Sequence, residues 1–368
     1  MSGLGAALLG PVCLSAACLL TPDAHADPRI RAETGAGYDS NITRAEDDDA
    51  RRAGALLRAV LDLDDQARLG SALGVGVSYQ AGAKHFFDAP GEDVVFQRLS
   101  GWLSGRLSPA AGLGLRLGVQ DRTTRDPLRP RDYTRLSAGP EVTFALGALR
   151  LGAQAGVERL QFKSDTDFSA DGYRAGLSAQ LGQGTWIVDG QVGLMARAFD
   201  GTRLVVLGPD DPVERVLFVD PVTRRDIGFD PGDVSRHDTV WTAGLRLRHV
   251  GTALASLEYS FALNDSDSYN GRFTRHEVQA SVTTPLFAGL LLSAKASLQR
   301  LTYADGVYLS PLEVLDDENR SALSARLEWP LWEAVSLVAS GGSWFSPFGG
   351  GADFQRHVGV LGLALNDG

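Results

Sequence analysis

Arginine, lysine and glutamate residues recur at every second position among apolar residues along much of this 368-residue chain. Alternation with a period of two places charged and apolar side chains on opposite faces of a β-strand. Charged side chains are disfavoured on the lipid-facing side, because an Arg or Lys at the bilayer midplane destabilises the barrel by about 2–4 kcal/mol. We therefore predict that the charged face lines a lumen, and its candidate residues are Arg58, Arg98, Arg106, Arg116, Arg135, Glu141, Glu158, Arg174, Arg246, Glu258, Arg275, Glu277, Lys295, Arg326 and Glu328.

Basic residues outnumber acidic ones in this set, although the whole chain has a formal net charge of −10. A cationic, water-filled lumen favours anionic solutes or acidic sugars. The alternative interpretation is that Arg and Glu pair across the lumen and fill it. No G-x-S-x-G segment is present and the histidines are scattered, so we predict no catalytic residues, no metal site, no cofactor and no enzyme activity. The absence of a basic stripe predicts no nucleic-acid partner.

The stretch at 69–80 shows most clearly which elements must position these charges. Leu73, Val75, Val77 and Tyr79 alternate with glycine, serine and glutamine. The alternation is longer than the about 5–6 residues of an average soluble strand. It matches the about 9–11 residues that a tilted strand needs to cross a bilayer. This stretch therefore predicts a transmembrane β-strand, and the rest of the chain repeats its pattern.

The links between the predicted strands alternate between long and short. The first strand, 29–39, precedes a long acidic link, whereas the second (55–64) and third (68–83) are joined by a tight turn at 65–67. We predict an all-β fold: a single closed, antiparallel, up-and-down transmembrane β-barrel of about 16 strands (range 14–18), with short periplasmic turns and long extracellular loops.

Three features of this strand assignment are open to a structural test. The longest link, 200–236, either folds inward as a constriction or extends the strands above the membrane. Pro140 lies inside a strand, where a missing N–H removes a ladder hydrogen bond, so we predict a bulge there. Pro330 is assigned to a strand end.

Aromatic residues gather near the predicted strand ends, as the two membrane interfaces select. Near the short turns are Trp102, Phe144, Trp186, Phe287, Trp329 and Trp332, and near the long links are Tyr38, Tyr133, Tyr173, Phe199, Phe273, Tyr303, Trp344 and Phe354. Together they favour a membrane barrel over a secreted β-solenoid.

The N-terminal segment differs from everything that follows it. An apolar run over 4–20 precedes Ala24-His25-Ala26, the A-x-A pattern of a signal-peptidase site. We predict a signal peptide at 1–26 and an outer-membrane β-barrel at 27–368. A transmembrane anchor is the alternative, which Pro11 disfavours. Both cysteines, Cys13 and Cys18, lie in this segment, so disulfides and thiolate chemistry are not expected in the mature chain.

The end of the first strand reads Gly37-Tyr38-Asp39-Ser40-Asn41. This motif resembles that of a family of proteobacterial outer-membrane β-barrel porins, which are often associated with exopolysaccharide export. Such barrels usually end in an aromatic residue that the insertion machinery recognises, whereas the last residues here are Asn366, Asp367 and Gly368. The resemblance implies a Gram-negative outer-membrane transport protein, and any export role would need a separate periplasmic partner.

The sequence thus leads to two functional hypotheses. The first is a passive or gated conduit across the outer membrane for polysaccharide or other anionic solutes. The second is a non-conducting structural or adhesive barrel that acts through its extracellular loops or within an envelope complex. The expected partners are outer-membrane lipid and lipopolysaccharide, the barrel-insertion machinery, and polysaccharide or a periplasmic export protein. The expected location is the outer membrane with periplasmic termini, after signal-peptide cleavage near Ala26.

Overall fold

A computed structural model describes residues 28–43, 49, 51–70, 72–126, 132–164, 166–212, 214, 216–220, 224–269, 271–304, 321–345 and 355–367. The predicted signal peptide lies outside these residues, and so does Phe354. No helix among the described residues is both long and apolar enough to cross a membrane.

Almost all of the described chain is β-structure. The strands, numbered in chain order, are β1 Arg29–Asp39, β2 Gly54–Leu69, β3 Leu73–Phe86, β4 Val94–Arg106, β5 Ala111–Thr124, β6 Tyr133–Leu146, β7 Leu149–Phe162, β8 Ala170–Gln183, β9 Trp186–Thr202, β10 Leu204–Val206, β11 Val216–Val219, β12 Asp226–Phe229, β13 Ser235–Val250, β14 Leu254–Ser266, β15 Phe273–Pro285, β16 Leu291–Tyr303, β17 Ser321–Pro330, β18 Val335–Phe345 and β19 Gln355–Asp367.

Sixteen of these strands form one closed antiparallel barrel. Each barrel strand pairs with its neighbours in the chain, and β9 pairs directly with β13 because β10, β11 and β12 form a separate three-stranded sheet. The last strand, β19, pairs with β1 and closes the ring. The predicted fold class is therefore confirmed. We call the two ends of the barrel the short-turn end and the long-link end, after their connections.

The strand register gives the barrel two distinct faces. Residues paired directly across strands share a face, so Arg31, Asp62 and Gln80 lie on one side of the wall. The other side carries large apolar side chains that are exposed in the isolated chain, including Leu57, Leu117, Val157, Leu177, Leu245, Leu323 and Leu361. A continuous apolar exterior on a closed barrel is the surface that a bilayer covers. The barrel therefore spans a membrane with its polar face inward.

Two local expectations differ from the structure. The tight turn predicted at 65–67 lies instead after β2, which continues to Leu69 and pairs with β3 in an extended hairpin. The bulge predicted at Pro140 is wrong, because pairing between β6 and β7 lapses beside Gly139 and Pro140 but resumes in the same register. Pro330, by contrast, is the last residue of β17, as expected for a strand end.

The first and last strands are joined at the long-link end by a buried ion pair. Nε of Arg356 lies 3.0 Å from Oδ1 and 3.1 Å from Oδ2 of Asp39, and Nη2 lies 2.5 Å from Oδ2. Both residues are almost fully buried. The guanidinium also lies 5.6 Å from the ring centroid of Trp344. Because the fork geometry suits a carboxylate, this contact fixes the register in which the barrel closes.

Ser40 and Asn41 of the Gly37–Asn41 motif form further hydrogen bonds between the ends of β1 and β19. The backbone N–H of His357 donates to the Ser40 hydroxyl at 2.8 Å, and the Asn41 amide donates to the Gln355 carbonyl at 3.2 Å. Next to them, Ile42 is buried in an apolar cluster with Leu56, Phe86 and Ala89. In this structure the motif thus holds the ends of β1 and β19 together.

Glycines allow the same two strands to approach closely. A Cβ added at Gly37 would lie 2.1 Å from the carbonyl oxygen of Gly359, and one at Gly362 would lie 2.1 Å from that of Thr34. Real Cβ atoms do not come this close to an oxygen, so a larger residue would force the strands apart. Gly359 itself has open space around its Cβ position.

We predict that Asp39→Asn destabilises the barrel by about 3–5 kcal/mol, because it leaves the buried Arg356 guanidinium without a carboxylate. The Asp39→Leu, Arg356→Met double variant should recover part of this loss. Urea unfolding of the refolded barrel in lipid vesicles, followed by tryptophan fluorescence, measures both.

The matched control is Asp265→Asn, which breaks an exposed Arg–Asp pair at 3.1 Å with Arg272. Exposed pairs contribute about 1 kcal/mol or less. Equal effects of Asp39→Asn and Asp265→Asn would contradict the closure role.

Candidate functional site: a charged lumen

The register places every sequence-predicted lumenal residue on the polar, inward face of the barrel. Arg246, for example, lies directly opposite both Glu258 and Asp189, and Arg135 opposes Gln120. The same face carries Arg31, Glu33, Asp62, Asp189 and Arg248, which the alternation of the sequence also places there. It further carries charged residues that the sequence prediction did not include, among them Arg68, Lys84, Arg122, Arg150, Arg197 and Asp238.

One group of lumenal charges connects β1 with β2 and β17. Glu33 lies 2.7 Å from Nη1 of Arg326 and 3.8 Å from Nη1 of Arg58. Arg31 donates to Glu328 at 2.6 Å. The side chains of β1 and β17 meet over β18 and β19, whose inward residues there include the small Ser340, Gly362 and Ala364 beside Val338. Small residues in the wall thus give these long side chains room to pair along it.

A second group surrounds Glu158 near the long-link end. Its carboxylate lies 3.5 Å from Nε of Arg135 and 3.6 Å from Nη2 of Arg197. Glu158 is 8% exposed. Arg135 and Arg197 come from β6 and β9, on either side of the β7 strand that carries Glu158, so one carboxylate compensates two cations.

A third group lines a cavity of about 1450 Å³ in the lumen toward the short-turn end. Three carboxylates lie in this group, and each accepts from an arginine: Arg116 Nε to Glu141 at 2.8 Å, Arg248 Nε to Asp189 at 2.7 Å and Arg246 Nε to Glu258 at 2.6 Å. The same cavity is lined by Arg68, Arg106 and Arg150. Within the described ranges these three arginines have no carboxylate partner.

The named ion pairs join strands that are at most three places apart in the barrel order. They therefore run along the wall instead of reaching the opposite side of the lumen. Of the two interpretations of the charged face, this arrangement favours an open lumen over one filled by Arg–Glu pairs.

Several aromatic residues expected at the membrane interfaces face inward instead. Trp102 is the clearest case, because it opposes Gly76 across the β3–β4 ladder and its indole occupies the space where a Gly76 Cβ would lie. The other inward residues are Tyr133, Phe199, Phe273, Tyr303 and Trp344. The outward or turn residues are Tyr38, Phe144, Tyr173, Trp186, Phe287, Trp329 and Trp332. Position near a strand end does not fix the face, whereas the alternation does.

The long link at 200–236 contains the three-stranded sheet β10–β12–β11. The apolar runs at 204–207 and 216–219 are strand-like in sequence and correspond to β10 and β11, and β12 is an additional strand. The Ser268 hydroxyl accepts from the Leu204 N–H at 2.9 Å, and the Tyr269 hydroxyl donates to Asp220. Arg203 also lies 3.8 Å from Asp267. These contacts attach the sheet to the neighbouring link between β14 and β15, which favours an extension beyond the barrel end over an inward constriction.

Charged residues also occur on the outward face, but near the strand ends. Arg159 lies three residues before the end of β7 and pairs with Asp200 at 2.5 Å and Asp171 at 3.4 Å. Lys163 pairs with Asp121 at 2.8 Å in the same region. These charges lie at the long-link end, beyond the apolar belt, where water and polar headgroups replace hydrocarbon.

Metal-ligating side chains are not grouped in the described parts of the chain. No set of three or more His, Cys, Asp or Glu residues there could together hold a metal ion. The charged side chains of the cavity act electrostatically, because an excess of guanidinium groups favours anions over cations in the space beside them.

A scan against protein-family models finds no match, and a search of curated proteins finds none either. Among solved structures, the chain is similar to the outer-membrane expressed OmpT of Vibrio cholerae, at 12% identity over 95% of this chain and 99% of that one, with a TM-score of 0.48. It is also similar to a bacterial polysaccharide outer membrane secretin, at 8% identity over 93% and 98% of the two chains, with a TM-score of 0.44. A mutant porin of Rh. blastica matches at 9% identity over 93% and 100%, with a TM-score of 0.41.

We predict that iodide quenches Trp102 fluorescence more strongly than caesium does, because Trp102 lies opposite Arg116 beside the cationic cavity. Trp102→Phe should therefore lower the ratio of iodide to caesium quenching in the refolded protein. Stern–Volmer titrations at equal ionic strength measure this ratio.

The control is Trp332→Phe, which removes a tryptophan that is 70% exposed in a turn beside Glu333. That variant should leave the ratio unchanged or raise it. The same fall in both variants would show that the lumen does not concentrate anions.

Proposed function

We propose that the protein is a Gram-negative outer-membrane barrel that acts as a passive or gated conduit for anionic solutes. The observation that carries this proposal is the cavity of about 1450 Å³ in the barrel, in which arginines exceed carboxylates. Barrels of about 16–18 strands leave an aqueous channel when no segment fills them. A channel wall with excess positive charge raises the local concentration of anions.

The orientation follows from the connections. In outer-membrane barrels the short turns face the periplasm and the long links face the exterior. The short-turn end, with both chain termini, is thus the periplasmic end, and the sheet β10–β12–β11 stands outside the cell. Export through a signal peptide cleaved near Ala26 would deliver the chain to this membrane.

Polysaccharide is the cargo that the resemblance of the Gly37–Asn41 motif implies. An acidic polysaccharide would present carboxylates to the lumenal arginines, and Trp102 offers an apolar ring surface beside them. Such a polymer would reach the lumen from a periplasmic partner.

A structural or adhesive role is the second candidate. The observation that favours it is the outer sheet, which is braced against the β14–β15 link by Arg203, Ser268 and Tyr269. A link that serves only as a connection does not need this bracing. A partner outside the cell would bind to this sheet and leave the lumen unused.

Planar-bilayer recording of the refolded protein distinguishes the two candidates. Stable openings with a reversal potential that favours chloride over potassium would support the conduit. A barrel that is folded by heat-modifiable gel mobility but electrically silent would overturn the passive conduit and leave a gated exporter that needs its partner or the structural role.

We further predict that Glu33→Gln raises the chloride-to-potassium permeability ratio, on the order of twofold. The change removes the carboxylate that compensates Arg58 and Arg326, so the wall becomes more cationic. Asp171→Gln, outside the lumen, serves as the control and should leave the ratio unchanged. A fall in the ratio for Glu33→Gln would contradict the assigned geometry.

A further inference from the structure

We propose that Arg68, Arg106 and Arg150 form a binding site for multivalent anions at the short-turn mouth of the lumen. This inference rests on the proposed function in one respect, which is that the lumen is open to solutes. Beyond that function, it specifies the residues that bind the solute, the end of the barrel from which the solute enters, and the charge of the solute.

Positive charge exceeds negative charge among the residues that line the cavity. Its carboxylates, from Glu141, Asp189 and Glu258, are each already held by a neighbouring arginine at 2.6–2.8 Å. Arg68 and its two companions therefore have no anion left to pair with among the residues that line the cavity. Asp64, on the same strand as Arg68, is not part of that lining.

Uncharged residues lie directly across from each of these arginines in the strand ladders. Arg68 opposes Gly74 and Arg106 opposes Gly112 in the strand ladders, whereas Arg150 lies between Ala145 and Gln180. None of these cross-strand neighbours carries a negative charge, and two have no side chain at all. The guanidinium groups are consequently exposed to the water of the cavity.

The three arginines also lie at the same end of the barrel. Arg68 lies one residue before the end of β2, Arg106 is the last residue of β4, and Arg150 is the second residue of β7. All three positions are at the short-turn end. Other lumenal arginines are ion-paired, such as Arg326 with Glu33 and Arg135 with Glu158. Among the described residues, the short-turn mouth thus carries three arginines without a carboxylate partner.

The chemistry of the ligand follows from that of guanidinium. Each arginine offers a planar fork of donors that suits carboxylate and phosphate oxygens. A monovalent anion gains little from exposed charges in water, whereas a ligand with several anionic groups can contact two or three arginines at once. The site therefore fits solutes that carry repeated carboxylates or phosphates and approach from the short-turn side.

The test is block of single-channel current by tripolyphosphate or citrate, added to one side at a time. Orientation in the bilayer can be assigned with Asp210→Cys, an exposed position in the long link, and a bulky impermeant thiol reagent. The only native cysteines, Cys13 and Cys18, lie in the predicted signal peptide. We expect block from the short-turn side at concentrations about tenfold lower than from the other side.

The Arg68→Gln, Arg106→Gln, Arg150→Gln variant should lose this asymmetry, with block weakened about tenfold. A charge-matched control, Arg125→Gln with Arg224→Gln and Arg225→Gln, changes only residues at the long-link end and should retain the block.

Comparing block by tripolyphosphate with block by citrate distinguishes a preference for phosphate from one for carboxylate. Raising the salt concentration should also weaken block, because the Debye length falls below about 10 Å above 0.1 M.

The outcomes separate this inference from the proposed function. A conducting wild type with symmetric block, or with block unchanged in the triple variant, would overturn the site alone. A silent wild type would overturn the passive conduit. In that case calorimetric titration of tripolyphosphate into the folded barrel decides the site: binding that the triple variant loses supports it, and no binding overturns it.

Discussion

The structure depends on one pairing, that of the first strand with the last. A β-sheet with free edges is unstable in the hydrocarbon core of a bilayer, because each unpaired backbone N–H or C=O group there costs free energy. Closure into a barrel removes both edges. Here the pairing of β1 with β19 is secured by glycines that let the backbones approach and by the buried Asp39–Arg356 ion pair. Every other feature, including the lumen, exists only once this seam is closed.

Closure then turns the alternation of the sequence into an inside and an outside. The lipid accepts apolar side chains, so the charged residues of each strand are directed into one shared space. Within it, carboxylates such as Glu33 and Glu158 each compensate two arginines, while the pairs at the short-turn end compensate one each. The result is a lumen in which some arginines are neutralised, whereas Arg68, Arg106 and Arg150 at the short-turn end have no carboxylate partner among the described residues.

Much of this architecture was predictable from period-two alternation and link length, which indicate a closed barrel and group the candidate lumenal residues on one face of their strands. Arg68 and Arg150 could have been found in the same way, since Leu69 and Leu149 flank them on the outer face. What the sequence could not show is pairing between distant strands. The roles of Asp39 and Arg356, the inward orientation of Trp102 beside Gly76, and the small sheet at 204–229 all depend on contacts made only in the folded chain.

The most direct test of the central claim is the reversal potential of the refolded protein in a potassium chloride gradient across a planar bilayer. The account predicts a potential displaced toward that of chloride, because uncompensated arginines line the lumen. A potential displaced toward that of potassium would contradict it, and so would a correctly folded barrel that passes no current.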